Sequence, residues 1–428
     1  MSAEKKLTTT SRQFMTGILT MAMLLMSGAS LATQADRDMA KRIHDRLAGV
    51  PPTEAMLDTM ESCYATDTTA CDAEVAGATA SADASIKVAY IAMKNTAFYN
   101  TTLKNFATPW TNEAQSVFYE FNDYSATVIG MIRDDEDFRE LLFADYLYVG
   151  ANPANYSISN NQMYIDMEDR GVDLSSGTEL QQVAQQSLPG RTTIEPAGIF
   201  TTRAAARAFF EGGTNRAMTR FTFLNHLCHD MEQVKDITRP SDRIRQDVSR
   251  SPGGDSRLFM NSCIGCHAGM DPLTQAFAFY EWQYTGEDID GGQLVFTDNS
   301  VQMKNLINST NFEPGFVTED DTWTNYWRNG PNSVLGWNYA GGADADNGEG
   351  PASMGRELAY SKAFASCQVR KAFKSVCLRD PMSNKADRVQ VNNVLADIAA
   401  ASGQINMKNV FAEMATYCED GSAYTPAP

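Results

Sequence analysis

Apolar residues recur at helical spacing along most of this chain. "DRDMAKRIHDRLA" (residues 36–48) reads as an amphipathic helix, stopped by Gly49 and the Pro51-Pro52 pair. His44 lies on its charged side and reads as solvated. Thr53 can cap the next helix, "TEAMLDTMESCY". Residues 72–86, rich in Ala, Ser and Asp, read as a loose linker. From about 87 to 149 the spacing is again helical, with Thr111 as an N-cap. There "DDEDFRELLFADYLYVG" (134–150) predicts a helix opening in acids, as the helix dipole favours. Residues 150–200 are polar and predict loops with short strands. "TTRAAARAFFEGGTNRAMTRFTFLNHLCHDMEQVKD" predicts two helices split at Gly212-Gly213. Residues 285–350, with many Gly, Asn, Asp and Trp, predict irregular loops, and 355–418 returns to helix. The chain carries no internal repeat and little strand signal, so the predicted fold is mainly α, multi-helix, with helical N- and C-terminal regions and long irregular loops.

Composition narrows the partners. The chain has 428 residues, enough for one large or two medium cores, and a net charge of −18. Such acidity repels a phosphate backbone, so no nucleic-acid partner is expected. At the N-terminus, Lys5, Lys6 and Arg12 precede an apolar run from Phe14 to about Met26, then small residues to Ala32. That layout predicts a signal peptide over residues 1–32. The apolar run is shorter than the ~20 residues of a membrane span, so an integral membrane protein is not expected. No Ser-His-Asp order, phosphate-cradling glycine loop or carboxylate pair stands out, and only four histidines are present.

Export changes the meaning of the eight cysteines, 63, 71, 228, 263, 266, 367, 377 and 418. In an oxidising compartment an even set predicts disulfides. Cys63 and Cys71 enclose a short polar loop and are expected to pair. Cys367 and Cys377 lie ten residues apart in a helical stretch, a span of about 15 Å. A disulfide needs Cα atoms within roughly 7 Å, so those two pair elsewhere, with Cys228 and Cys418, in either combination.

The remaining two stand in "CIGCHAGMDP" (263–272). C-x-x-C-H is the attachment signature of c-type haem. Two thiols at this spacing can add to the two vinyl groups of one porphyrin edge, and the adjacent imidazole then faces the iron. Cys263 and Cys266 would form the thioethers and His267 the proximal ligand. Chance would give this motif on the order of 0.001 times in a chain of this composition. A dithiol switch would follow a βαβ-type strand, which "SRLFMNS" is not. A zinc half-site would need a second ligand pair at metal spacing, and none is evident. One haem c is therefore expected. "NHLCH" (225–229) resembles a one-thioether site, but a second haem is not expected.

The opposite axial ligand stays open among Met354, His226 and His229, and an open sixth position is also allowed. Arg239, Arg243, Arg245, Arg250 and Arg257 could hold haem propionates or pair with Asp242, Asp247 and Asp255. "DADNGE" (344–349) reads as a plain acidic turn before a calcium loop.

Several stretches carry a family resemblance: "RIHDRLAGVPPTEAML" (42–57), "DFRELLFADYLYV" (137–149), "EPAGIFTT" (195–202), "CIGCHAGMDPLTQAFAFYEW" (263–282) and "GRELAYSKAFASCQVRKAF" (355–373). The chain resembles the large exported c-type cytochrome proteins of planctomycetes and some proteobacteria, whose domains are catalogued as of unknown function. It departs from them at Pro272-Leu273-Thr274, where that box usually carries Pro-x-Gly. The resemblance implies haem binding and electron transfer, without a substrate. The expected organisation is a signal peptide (1–32), an N-terminal helical domain (33–200) and a cytochrome c-like haem region with a helical C-terminal part (201–428). The expected function is electron transfer in the periplasm or outside the cell, with a basic redox partner. The alternatives are a peroxidase-like haem enzyme and a disulfide-held binding protein with structural haem.

Overall fold

The computed structural model describes residues 32–75, 82–285, 291–306, 315–341 and 345–419. The predicted signal peptide up to Leu31 and part of the "DADNGE" turn lie outside the described residues.

Helix dominates, at 57% against 8% strand. The first helix, α1 (Gln34–Ala48), starts at a Thr33–Asp36 capping box and ends at Gly49, whose φ of 70° is the left-handed cap that glycine accepts without strain. Thr53 caps α2 (Glu54–Ser62) by accepting from the Met56 N–H, as its sequence position suggests. After a short helix, Thr69–Glu74, which enters the stretch read as a linker, come α3 (Ala84–Ala92) and, further on, α4 (Asp123–Arg133), buried along almost its whole length.

Three expectations fail in this half. Thr111 does not open a helix; it ends a short 3₁₀ turn, Thr108–Thr111. The helix predicted over 134–150 is instead a 3₁₀ turn (Phe138–Leu142) and a strand, β1 (Tyr146–Gly150). "YLYVG" alternates aromatic and branched residues, and it pairs antiparallel with β2 (Leu180–Ala184), Leu147 opposite Val183. Tertiary pairing overrides the local acid-first signal. His44 is corrected too: it is fully buried, faces the Asn95 amide at 3.2 Å, and burial lowers its pKa.

Downstream, α5 (Arg203–Phe209) and α6 (Arg216–Thr222) are separated at Gly212-Gly213, as predicted. A π-helical turn (Phe223–Leu227) and the one-turn helix α7 (Met231–Val234) lead to α8 (Ile264–Thr274), which carries the C-x-x-C-H box. Two hairpins come after it, β3 (Tyr280–Tyr284) with β4 (Gly292–Phe296) and β5 (Thr322–Thr324) with β6 (Asn347–Glu349). The C-terminal part is α9 (Gly350–Ala359), α10 (Lys362–Cys377), α11 (Lys385–Ala400) and α12 (Met407–Glu419).

These C-terminal helices return to the start of the chain: α12 packs on α1, α3 and α10. The main core is accordingly continuous from Ala40 to Cys418 and runs across residue 200. Disulfides tie it together. Cys63 bonds Cys71, Cys228 bonds Cys367 and Cys377 bonds Cys418, with Cα atoms 5.0, 5.3 and 5.5 Å apart. Cys367 and Cys377, toward opposite ends of α10, thus take different partners, as helix geometry requires. No helix among the described residues is long and apolar enough to cross a membrane.

Candidate haem-attachment site

The box stands within one long helical stretch. Asp255 caps it by accepting from the Arg257 N–H, and a helical turn (Ser256–Leu258) runs through a π turn (Phe259–Cys263) into α8. A π turn inserts one residue, which rotates the downstream helix by about 100° relative to a regular one. Here the insertion falls directly before α8. In the box, Cys263, Cys266 and His267 are spaced i, i+3 and i+4 and share a face. All three are half-buried at the surface.

The other sides of α8 are held firmly. Ile264 and Ala268 join Ile244, Val248 and Phe259 in a small second core. Gly269 lies against Trp327, which is fully buried: a Cβ there would sit 2.1 Å from the indole. Gly265 backs onto the 235–237 segment, and its carbonyl accepts from the Asp236 N–H at 2.8 Å. Small residues at 265 and 269 are what let these neighbours approach.

Two thiols among the described residues are free, and they are Cys263 and Cys266. Burial, with Glu232 nearby, raises the Cys266 thiol above its ordinary pKa. Its thiol donates to the Met231 carbonyl at 3.6 Å. The helical stretch opens at Ser256, so neither thiol sits at its N-terminus, where a thiolate would be favoured. A reactive dithiol is poorly served by this position. Among the described residues no three His, Cys, Asp or Glu side chains gather as a metal site.

His267 is oriented from behind. Its Nδ1 lies 3.0 Å from Oδ1 of Asp271, one turn on, and the Asp271 side chain has no exposure against 22% for His267. With Nδ1 turned inward, Nε2 is the ring atom left to bind a metal. Asp271 is in turn clamped by Arg216, through Nε at 2.7 Å and Nη2 at 2.9 Å, and accepts from the Arg245 N–H at 3.2 Å. Arg216 also grips Asp247 with two bonds of 2.7 and 2.8 Å. Burial alone would raise Asp271, but the Arg216 charge and the His267 hydrogen bond outweigh it and hold its carboxyl well below the usual range. Arg216, 55 residues upstream, has no local signature that marks it as a partner. Asp271 itself stands at the i+4 position from His267, a spacing visible in the sequence.

The three candidates for the opposite axial position separate. Met354 is fully buried in the main core on α9. His226 is also fully buried; its Nε2 meets the Tyr124 hydroxyl at 2.6 Å, and Trp110 and Phe364 flank the ring. Burial, then the Lys371 charge, drives the His226 pKa well down. His229 is half-buried, and its Nδ1 lies 2.7 Å from the Leu227 carbonyl. It stands two residues before Met231, the partner of Cys266. The Cys of "NHLCH" is the one bonded to Cys367.

The five arginines before the box all have partners within the protein. Arg239 pairs with Asp236 and Arg257 with Asp255. Arg250 donates to the Ile244 and Val248 carbonyls, and Arg243 stacks over Phe316. Arg245 is buried, donates to Asn305 and the Thr214 carbonyl, and has its pKa pushed down to about 10 by burial.

Comparison with known proteins returned no matching family model, no matching curated sequence and no matching solved structure.

Proposed function

We propose that the chain is a c-type haem protein that transfers electrons outside the cytoplasm, with one haem held by Cys263 and Cys266 and His267 as proximal iron ligand. The observation that carries this reading is the sorting of the cysteines. Six pair off, and the two of the C-x-x-C-H box stay free on one helix face beside an imidazole whose Nδ1 is already engaged. The residues present therefore fit the group: two thiols for the porphyrin edge and Nε2 for the iron. Exposed Ile237, Leu258 and Met260, next to or leading into the box, suit the apolar rim of a macrocycle.

The haem supplies one-electron ferric/ferrous chemistry. The protein's part is to fix its position and set its potential. Trp327 and the small second core hold α8 still. Of Met354, His226 and His229, His229 alone keeps some exposure, and it would be the candidate for a second iron ligand. The acidic surface suits a basic redox partner met in a salt-sensitive encounter. The three disulfides fit an oxidising compartment, periplasmic or secreted.

One observation favours a second reading, a haem enzyme with an open iron position: the buried carboxylate behind His267. The two readings divide on the ferric spectrum. Six-coordinate low-spin iron supports the carrier, with His229→Ala converting it to high spin. High-spin five-coordinate iron in the unaltered protein supports the enzyme. A haem-stained denaturing gel of chain produced with working cytochrome maturation tests both, since an unstained band removes either one.

A further inference from the structure

The group behind His267 asks for a role. Asp271 is wholly buried in the last turn of α8, an end of the helix that does not favour a carboxylate. Four donors converge on its two oxygens: the His267 ring, Arg216 Nε and Nη2, and the Arg245 N–H. A carboxylate hydrogen-bonded to a ligating imidazole fixes the tautomer and raises the basicity of the nitrogen on the metal.

We propose that Asp271 is the positioning residue of the iron-ligating imidazole, fixing Nε2 toward the iron and biasing it to the ferric state, while Arg216 tempers that bias. This rests on the covalent-haem reading. The physical argument is one of charge. A carboxylate on the far side of the proximal imidazole, at 0% exposure, is weakly screened and favours the extra positive charge of ferric iron. Arg216 opposes it, being shared bidentately between Asp271 and Asp247. Removing the anion and removing the cation should therefore move the potential in opposite directions.

The test is a spectroelectrochemical titration of the full-length, haem-loaded protein and two variants. Asp271→Asn is expected to keep covalent haem and to raise the ferrous-to-ferric ratio at a fixed poise about tenfold, a shift of about +59 mV for one electron. Arg216→Gln is expected to lower that ratio. Loosened packing that admits water around the haem would favour ferric iron in both variants, so a rise in Asp271→Asn is not what a merely structural role produces. An unchanged or lowered ratio in Asp271→Asn overturns the proposal, as does a raised ratio in Arg216→Gln. Should Asp271→Asn fail to accumulate, the ring N–H of His267 decides, read by NMR on the unaltered ferrous protein with isotope-labelled histidine. Protection from exchange supports the bond to Asp271, and exchange as fast as a solvated imidazole overturns it. Absence of covalent haem in the unaltered chain is a separate outcome, which ends the parent reading and this one with it.

Discussion

Replacing Gly269 with alanine should loosen α8. A Cβ at this position would lie 2.1, 2.4 and 2.5 Å from Cε2, Nε1 and Cζ2 of Trp327. Carbon pairs are comfortable at about 3.5–4.0 Å, so helix and indole must part by more than about 1 Å. Trp327 has little room to retreat, because it is fully buried and the Phe223 ring centroid stands 4.8 Å from its own. Overpacking of this kind costs roughly 1–3 kcal/mol, and the small gain of Ala over Gly in a helix, about 0.5–1 kcal/mol, does not cancel it. Gly212 is the control: its added Cβ meets nothing within 4 Å, so Gly212→Ala should leave stability within about 0.5 kcal/mol. Urea denaturation, monitored by tryptophan fluorescence, measures both. Trp327→Leu in the Gly269→Ala background should recover part of the loss, a coupling that a double-mutant cycle reads directly. A Gly269→Ala protein as stable as the parent would refute the packing described for α8.

Other parts of the structure carry outcomes of their own. Cys228–Cys367 closes a separation of 139 residues and Cys63–Cys71 one of 8, so chain entropy predicts losses of roughly 5 and roughly 2.5 kcal/mol when each pair is changed to serine. Equal or inverted losses in denaturant midpoint would contradict that ordering. Asp321 is pushed up to about 6, by burial first and then by Glu195, Glu349 and Asp320. Its ionised form is disfavoured in the fold, so stability should fall as pH rises from about 4 through 6. Asp321→Asn should therefore stabilise the protein at pH 7, with the benefit gone below about pH 4. A benefit that persists at about pH 3.5, below the ordinary carboxyl range, would count against this assignment.

What could be read from the chain alone divides by distance along it. The C-x-x-C-H box is local, since its two thiols and its imidazole lie within five residues and their spacing is their meaning. The disulfides were half legible. Helix rise forbids Cys367 from reaching Cys377, but which of them takes Cys228 depends on α10 packing against the π turn that holds His226. The strand at Tyr146–Gly150 was hidden because its acidic lead-in imitates a helix start, and its partner, Leu180–Ala184, lies far along the chain. His44 was misplaced because a charged helix face gives no sign that another helix will cover it. The clamp on Asp271 is the clearest case. His267 and Asp271 are one helical turn apart, whereas Arg216 and Asp247 arrive from separate segments and only the fold brings them together.

Covalent haem would occupy two thiols, so mass spectrometry can count them. The mature chain, produced in a host with working c-type cytochrome maturation, is denatured, alkylated without reduction and weighed, then digested and mapped. The expected result is one added haem mass per chain, no alkylated cysteine, and the porphyrin on the peptide spanning Cys263 and Cys266. A chain with no haem mass, and with those two cysteines alkylated or bonded to each other, would contradict it.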